Sequence, residues 1–186
     1  MSGRRLVVGC LKYEVVTKND KDFICEVDND YCRVLVGSDL SKEQLQVSLL
    51  ECAILIVLNQ IGYYKQQRTR RIAASAATLL RQYLKDNNIF RKITKLKLCG
   101  SNYTVRYRDN KSMPDSYGEI DVAKTEILIA NYLNRDTRAL TFMHEMTHSM
   151  MHQLGEDGLY GDEKFVCAFS YILFSVVKDN RKLLFR

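Results

Sequence analysis

The chain has 186 residues, 46% hydrophobic and 27% charged, with one proline, Pro114. That balance excludes a disordered or fibrous polypeptide and leaves a globular one able to bury a core without metal or disulfide staples. The net charge of +6 is uneven: residues 1–92 carry fifteen Lys and Arg against ten Asp and Glu, residues 93–186 thirteen against twelve.

Six cysteines (Cys10, Cys25, Cys32, Cys52, Cys99, Cys167) are scattered without a Cys-x-x-Cys pair. This suits reduced, buried thiols in a cytoplasmic protein better than a disulfide framework. The first apolar run ends at Lys12 and is too short for a signal peptide. Arg33-Val34-Leu35-Val36 is a β-branched-rich run suited to a strand. Ser41 is a helix cap and, with Gln44, a capping box. The stretch over 47–61 is apolar but interrupted by Glu51, Asn59 and Gln60. It falls short of the roughly 18 uninterrupted apolar residues of a membrane span, so no membrane partner is expected. Gly62 then stops the helix, because glycine is free to take left-handed backbone. The basic stretch Lys65-Gln66-Gln67-Arg68-Thr69-Arg70-Arg71 opens a second helix over about 69–85. We read it as a solvated helix start; an acidic protein partner is the next use of such charge, and nucleic acid ranks last because no nucleic-acid motif accompanies it.

The second half repeats the first. A shift of 93 residues, gapless from Glu26 to Asn87, lays Glu26 on Glu119, Asp28 on Asp121, Leu35 on Leu128 and Gly62 on Gly155. It also lays Lys85-Asp86-Asn87 on Lys178-Asp179-Asn180. Ile127-Leu128-Ile129 repeats the strand, Asn134 the cap, and a helix over about 162–178 the second helix. Upstream, Tyr13-Glu14-Val15 meets Tyr103-Thr104-Val105 once a three-residue insertion is allowed. The expected fold is α+β: two tandem units, 1–92 and 93–186, each a small β-sheet followed by a long helix and a second packed helix.

The long helix of the second copy contains His144-Glu145-Met146-Thr147-His148. Residues four apart lie one above the other on a helix face, so His144 and His148 can jointly hold a zinc ion with Glu145 beside them. Glu145 is then placed as general base toward a metal-activated water. Ala139, Leu140, Phe142, Met143, Met150 and Met151 would keep the helix in the core. A catalytic zinc takes three protein ligands and keeps one position open. His152 lies about 12 Å along the axis from His144, too far to share the ion. Glu156, Asp157 and Asp162 fall in or at the end of a glycine-containing loop, and Asp162 reads as a helix N-cap. Glu163, in the first turn of the second helix, is the preferred third ligand, with Asp162 next. Tyr160 can donate a hydrogen bond to a developing oxyanion or simply pack in its loop. Cys167 reads as core rather than ligand. In the first copy the matching positions hold Glu51, Cys52, Leu55 and Arg70, so no metal site is expected there.

The His144-Glu145-x-x-His148 string, Glu163 opening an apolar helix, and the preceding Gly118-Glu119-Ile120-Asp121 resemble the small gluzincin-type metallopeptidases of the ImmA/IrrE kind, many of them phage-encoded. The resemblance covers about residues 94–180. It implies a zincin-like fold, zinc on His144, His148 and Glu163, and Glu145 as general base. It further implies a zinc-dependent endopeptidase acting on a peptide or protein substrate, such as a regulatory protein, in the cytoplasm, that of a bacterial host if phage-encoded. The first half would be a degenerate, metal-free zincin-like copy. The alternative is a non-catalytic metal-containing factor that binds a protein through its basic first half. Retention of Glu145, which a structural zinc does not need, favours the enzyme.

Overall fold

A computed structural model describes residues 4–20, 22–63, 66–98, 100–109, 111–112 and 116–185. Lys65, Cys99 and Pro114 lie outside them. The first copy forms β1 (Arg5–Val8), β2 (Leu11–Lys18), β3 (Cys25–Asp28) and β4 (Arg33–Gly37), then α1 (Lys42–Gln60) and α2 (Gln66–Asp86). The second forms β5 (Lys95–Leu98), β6 (Ser101–Arg108), β7 (Gly118–Asp121) and β8 (Glu126–Ala130), then α3 (Arg135–Gln153), α4 (Asp157–Tyr160), α5 (Glu163–Asp179) and α6 (Arg181–Phe185). The architecture is α+β with a duplicated layout.

Both sheets are mixed and have the same order, β1-β2-β4-β3 and β5-β6-β8-β7. An antiparallel hairpin is joined in parallel to a strand that then pairs antiparallel with the last. Alternation selects one face of each sheet for burial: Leu6, Val8, Tyr13, Val15, Val34 and Val36 in the first, and Leu96, Leu98, Tyr103, Val105, Ile127 and Ile129 in the second. Among the described residues, the last strands of both orders, β3 and β7, pair with another strand along one side only.

The helix signals read from sequence are present. Ser41 Oγ accepts from Gln44 N–H while Gln44 Oε1 accepts from Ser41 N–H, a complete capping box. Gly62 and Gly155, after α1 and α3, take φ of +81° and +68°. The middle of α1 is buried on nearly every face, as expected of a core helix. Among the described residues no helix is long and apolar enough to cross a membrane. Helix α2 begins at Gln66 rather than near 69. The short helices α4 and α6 carry too few residues for a periodic signal.

The chain divides into two compact units that differ from the 1–92 and 93–186 repeats: unit 1 is Met1–Arg81 with Ser175–Arg186, and unit 2 is Gln82–Phe174. The exchanged segments start at equivalent positions, Gln82 and Ser175, under the 93-residue shift. The paired asparagines explain the exchange. In unit 1, Val7 N–H donates to Asn180 Oδ1 at 2.8 Å, and Asn180 Nδ2 donates to the carbonyls of Val7 (2.6 Å) and Val176 (2.8 Å). In unit 2, Lys97 N–H donates to Asn87 Oδ1 at 3.0 Å, and Asn87 Nδ2 donates to the carbonyls of Lys97 and Tyr83, both at 2.8 Å. Each asparagine satisfies the outward backbone groups of an edge strand, β1 or β5, that would otherwise be unpaired.

The cysteines depart from the expected burial. Cys52 is buried, Cys25 and Cys32 are partly exposed, and Cys10 and Cys167 are exposed; all five are free thiols. Cys10 sits at the β1–β2 turn, where a small apolar residue has no core to enter.

Candidate metal centre

Three elements of unit 2 build the site. Helix α3 is positioned by Asn134, whose Oδ1 accepts from Asp136 and Thr137 N–H at 3.0 and 2.9 Å. Its core stripe, with Phe142, Met143, Met146, Met150 and Met151 all buried, turns His144, Glu145 and His148 toward a cavity on the other side. Helix α5 is capped by Asp162, whose Oδ1 accepts from Lys164 and Phe165 N–H, both at 3.1 Å. Asp162 is thus occupied at the cap, while Glu163, one residue on, reaches the histidines.

The donor atoms of the three side chains gather within 4.8 Å of one another. His144 Nε2 and His148 Nε2 are 3.1 Å apart, and Glu163 Oε2 and Oε1 lie 3.5 and 3.3 Å from them respectively. For metal–ligand distances of about 2.0–2.1 Å, a tetrahedral zinc demands edges of roughly 3.3–3.4 Å. The chemistry fits, because two imidazoles and one carboxylate are a zinc donor set. Among the described residues this is the one group of three or more His, Cys, Asp or Glu side chains gathered for a cation.

The surroundings prepare the imidazoles. His148 Nδ1 lies 2.8 Å from the carbonyl oxygen of Tyr160; a carbonyl can only accept, so Nδ1 carries a proton and Nε2 is the nitrogen that faces the site. His144 Nδ1 lies 3.9 Å from Cys167 Sγ. Burial, then the charge of His148, lowers the pKa of His144, with Glu163 opposing; the net favours the neutral, ligating form.

Glu145 is buried, 4% exposed. Burial first, then the charges of Glu163 and Glu119, push its carboxyl up to about 8. Its neighbour on β7 is Gly118, where a β-carbon would lie 2.7 Å from Glu145 Oε1 and 2.5 Å from Thr141 Cγ2. Only glycine leaves the glutamate its place.

The cavity has a volume of about 570 Å³ and runs along β7; Tyr117, Ile120, Leu140 and Tyr171 give it apolar walls. Tyr117 and Tyr171 are large and more than half exposed. Tyr160 lines it too, with its ring packed edge-on against His148 and tilted against His152. His152 itself points elsewhere, its Nδ1 4.0 Å from Asp157 Oδ1. Glu156 is buried at the start of α4, away from the triangle, and its carbonyl accepts from Leu159 and Tyr160 N–H.

Two features escape the sequence reading. Cys167 is exposed at the cavity instead of buried in the core. The signal for it was spacing: Glu163, Cys167 and Tyr171 are four apart and share one face of α5. The acceptor for His148 is a backbone carbonyl, and nothing in a residue type announces that.

Unit 1 has the equivalent cavity, about 530 Å³, lined by Cys25, Glu26, Glu51, Leu55 and Arg70 among others. Burial raises the pKa of Glu51, with Arg70 opposing. No protein-family model, no curated protein and no solved structure matches the chain.

Proposed function

We propose that unit 2 is a zinc-dependent endopeptidase of the gluzincin type, similar in its site to the ImmA/IrrE kind. The observation that carries this reading is the gathering of His144, His148 and Glu163, which can offer one ligand atom each, all within 4.8 Å of one another. A zinc ion held there supplies a Lewis acid for a peptide carbonyl.

The remaining work falls to the protein's own groups. Glu145 takes a proton from the attacking water and passes it to the departing amine. It is buried and lines the same cavity as the three candidate ligands. The Tyr160 carbonyl holds the His148 ring in orientation, and the Tyr160 side chain is the candidate donor to the oxyanion. Strand β7 has a free edge beside the cavity, and its backbone can pair with an extended peptide. Tyr117, Leu140 and Tyr171 then offer apolar surface to substrate side chains.

Metal analysis and hydrolysis of unstructured protein substrates test the reading together. One zinc per chain is expected in the wild type and in Glu145→Gln, with cleavage lost only in the variant; His148→Ala should lose both. Absence of stoichiometric zinc, or a Glu145→Gln protein that cleaves like wild type, defeats the proposal. Zinc retained without hydrolysis in the wild type identifies the non-catalytic binding factor instead.

A further inference from the structure

Where β1, the first turns of α1 and α6 meet in unit 1, a cavity of about 550 Å³ is lined by four cations, Arg4, Arg5, Lys42 and Lys182. Among the described residues no carboxylate lines it, and none of the four cations forms an ion pair. Glu43, the acid in the first turn of α1, does not offset this charge, because it is bonded to Arg81. Gln46 Oε1 accepts from Arg81 Nε at 3.3 Å, so the Gln46 amide Nε2–H groups are the donors left for the cavity.

The duplication shows that this charge is not a by-product of the fold. Val15 N–H donates to the Arg4 carbonyl as Val105 N–H does to that of Thr94, and the strand registers lay Arg5 on Lys95. Lys42 matches Arg135 under the 93-residue shift. Two and three residues beyond the paired asparagines, Lys182 and Leu183 stand where the first copy has Ile89 and Phe90. Unit 2 therefore has two cations at the four places. There Ile89 is buried, and the Phe90 and Phe174 ring centroids are 6.0 Å apart. Arg135 lies over the Phe90 ring and pairs with Asp136 at 3.3 Å. Packed rings fill the place in unit 2; in unit 1 four like charges share a cavity, and their repulsion is relieved by a multiply charged anion.

We propose that this cavity of unit 1 binds a ligand carrying several adjacent phosphate groups. Guanidinium forks take phosphate oxygens in pairs, and lysine ammonium groups meet them as point charges. The volume is that of a small-ligand pocket. An extended acidic peptide turns successive side chains to opposite faces and brings only every second carboxylate to a cavity, whereas adjacent phosphates keep their charge together. Among the described residues no aromatic side chain lines the cavity, so a nucleic acid has no ring on which to stack a base. Leu45 and Leu183 offer apolar surface to the carbon frame of the ligand.

The test is calorimetric titration of the full-length protein with inorganic tripolyphosphate, together with amide NMR shifts of the wild type. One tripolyphosphate per chain is expected, with shifts centred on 4–5, 42–46 and 182–183, and added salt should weaken it. Arg4→Gln with Lys182→Gln should lower the affinity about tenfold. Arg71→Gln, on α2 and outside the cavity, should leave it unchanged. Lys42→Gln replaces the double variant if that one fails to fold, and the wild-type shifts depend on neither. A lipid headgroup presents the same phosphate chemistry. Co-sedimentation with phosphatidylcholine vesicles containing phosphatidylinositol bisphosphate, lost in the double variant, would make the lipid the source; tripolyphosphate binding without it would make the source a free ligand. Absence of saturable binding, full affinity in the double variant, or shifts confined to 66–71 or to unit 2 would overturn the proposal. So would tighter binding of a peptide of Glu and Leu or of a single-stranded oligonucleotide.

Discussion

The smallest residue at the candidate site, Gly118, sets the position of the buried acid Glu145. A β-carbon at position 118 would meet both Glu145 Oε1 and Thr141 Cγ2 well inside contact distance, so Gly118→Ala must push the glutamate or the strand aside. A displacement of about 1 Å at a reacting group costs about a hundredfold in rate. Gly118→Ala should therefore lower kcat/KM for peptide hydrolysis by about that factor while zinc content, read by metal analysis, stays at wild-type level. A fully active variant would show that Glu145 has slack the geometry denies it. The matching site in unit 1 has its own signature in acid. Burial holds Glu51 above its ordinary value of 4.5. A raised folded-state pKa means that the folded chain binds the proton more tightly than the unfolded one. This contribution is complete below 4.5 and is lost as pH rises through the folded value. Urea unfolding of wild type should weaken over that window, and Glu51→Gln should flatten the dependence. At this scale the gathering of His144, Glu145 and His148 on one side of α3 was legible because helix geometry brings residues four apart onto one face. Glu163 was legible because only the first turn of the next helix offered a carboxylate free of capping. The Tyr160 carbonyl and the close approach at Gly118 were not, since both are properties of the backbone path.

Elements show where local sequence suffices. Both long helices begin at side-chain caps and end before a left-handed glycine, and those signals act within a few residues of where they are written. The capping box at α1 is the most complete: two reciprocal bonds join Ser41 and Gln44, at 3.2 and 2.9 Å. Ser41→Ala should cost about 1 kcal/mol of unit 1 stability. The double variant with Gln44→Ala should cost less than the sum of the singles, because each bond helps hold the other. Additive costs in urea unfolding would mean that the two bonds act independently. Strands β4 and β8 were legible as β-branched-rich runs, but the order of the strands in the sheets was not. A parallel β2–β4 pair needs a crossing connection through β3, and no residue pattern distinguishes that path from a simple meander.

For the whole molecule, the gapless shift lays 82–87 on 175–180, yet it does not say which sheet each segment joins. Either placement would bury the same apolar faces, so hydrophobic pattern alone is silent. The asparagines decide it: Asn180, from the second repeat, bonds to β1, and Asn87, from the first, bonds to β5. The identical Lys-Asp-Asn triplets at 85–87 and 178–180 end on the two residues that make these bonds. Asn180 is only 4% exposed, so Asn180→Ala leaves the amide and carbonyl of Val7 without their partner in a setting that water enters poorly. The loss should be about 2 kcal/mol, and less for the more exposed Asn87. Hydrogen exchange locates the damage. Asn180→Ala should speed exchange of the Val7 amide in unit 1 while the Lys97 amide and the zinc content of unit 2 stay unchanged. Asn87→Ala should do the reverse in β5. If Asn180→Ala instead loosened β5, each repeat would be folding on its own sheet and the chain would divide at the sequence boundary near 92. A cut at that boundary severs 82–92 from the sheet that Asn87 completes, so separate halves would each lack the asparagine that closes their own edge strand.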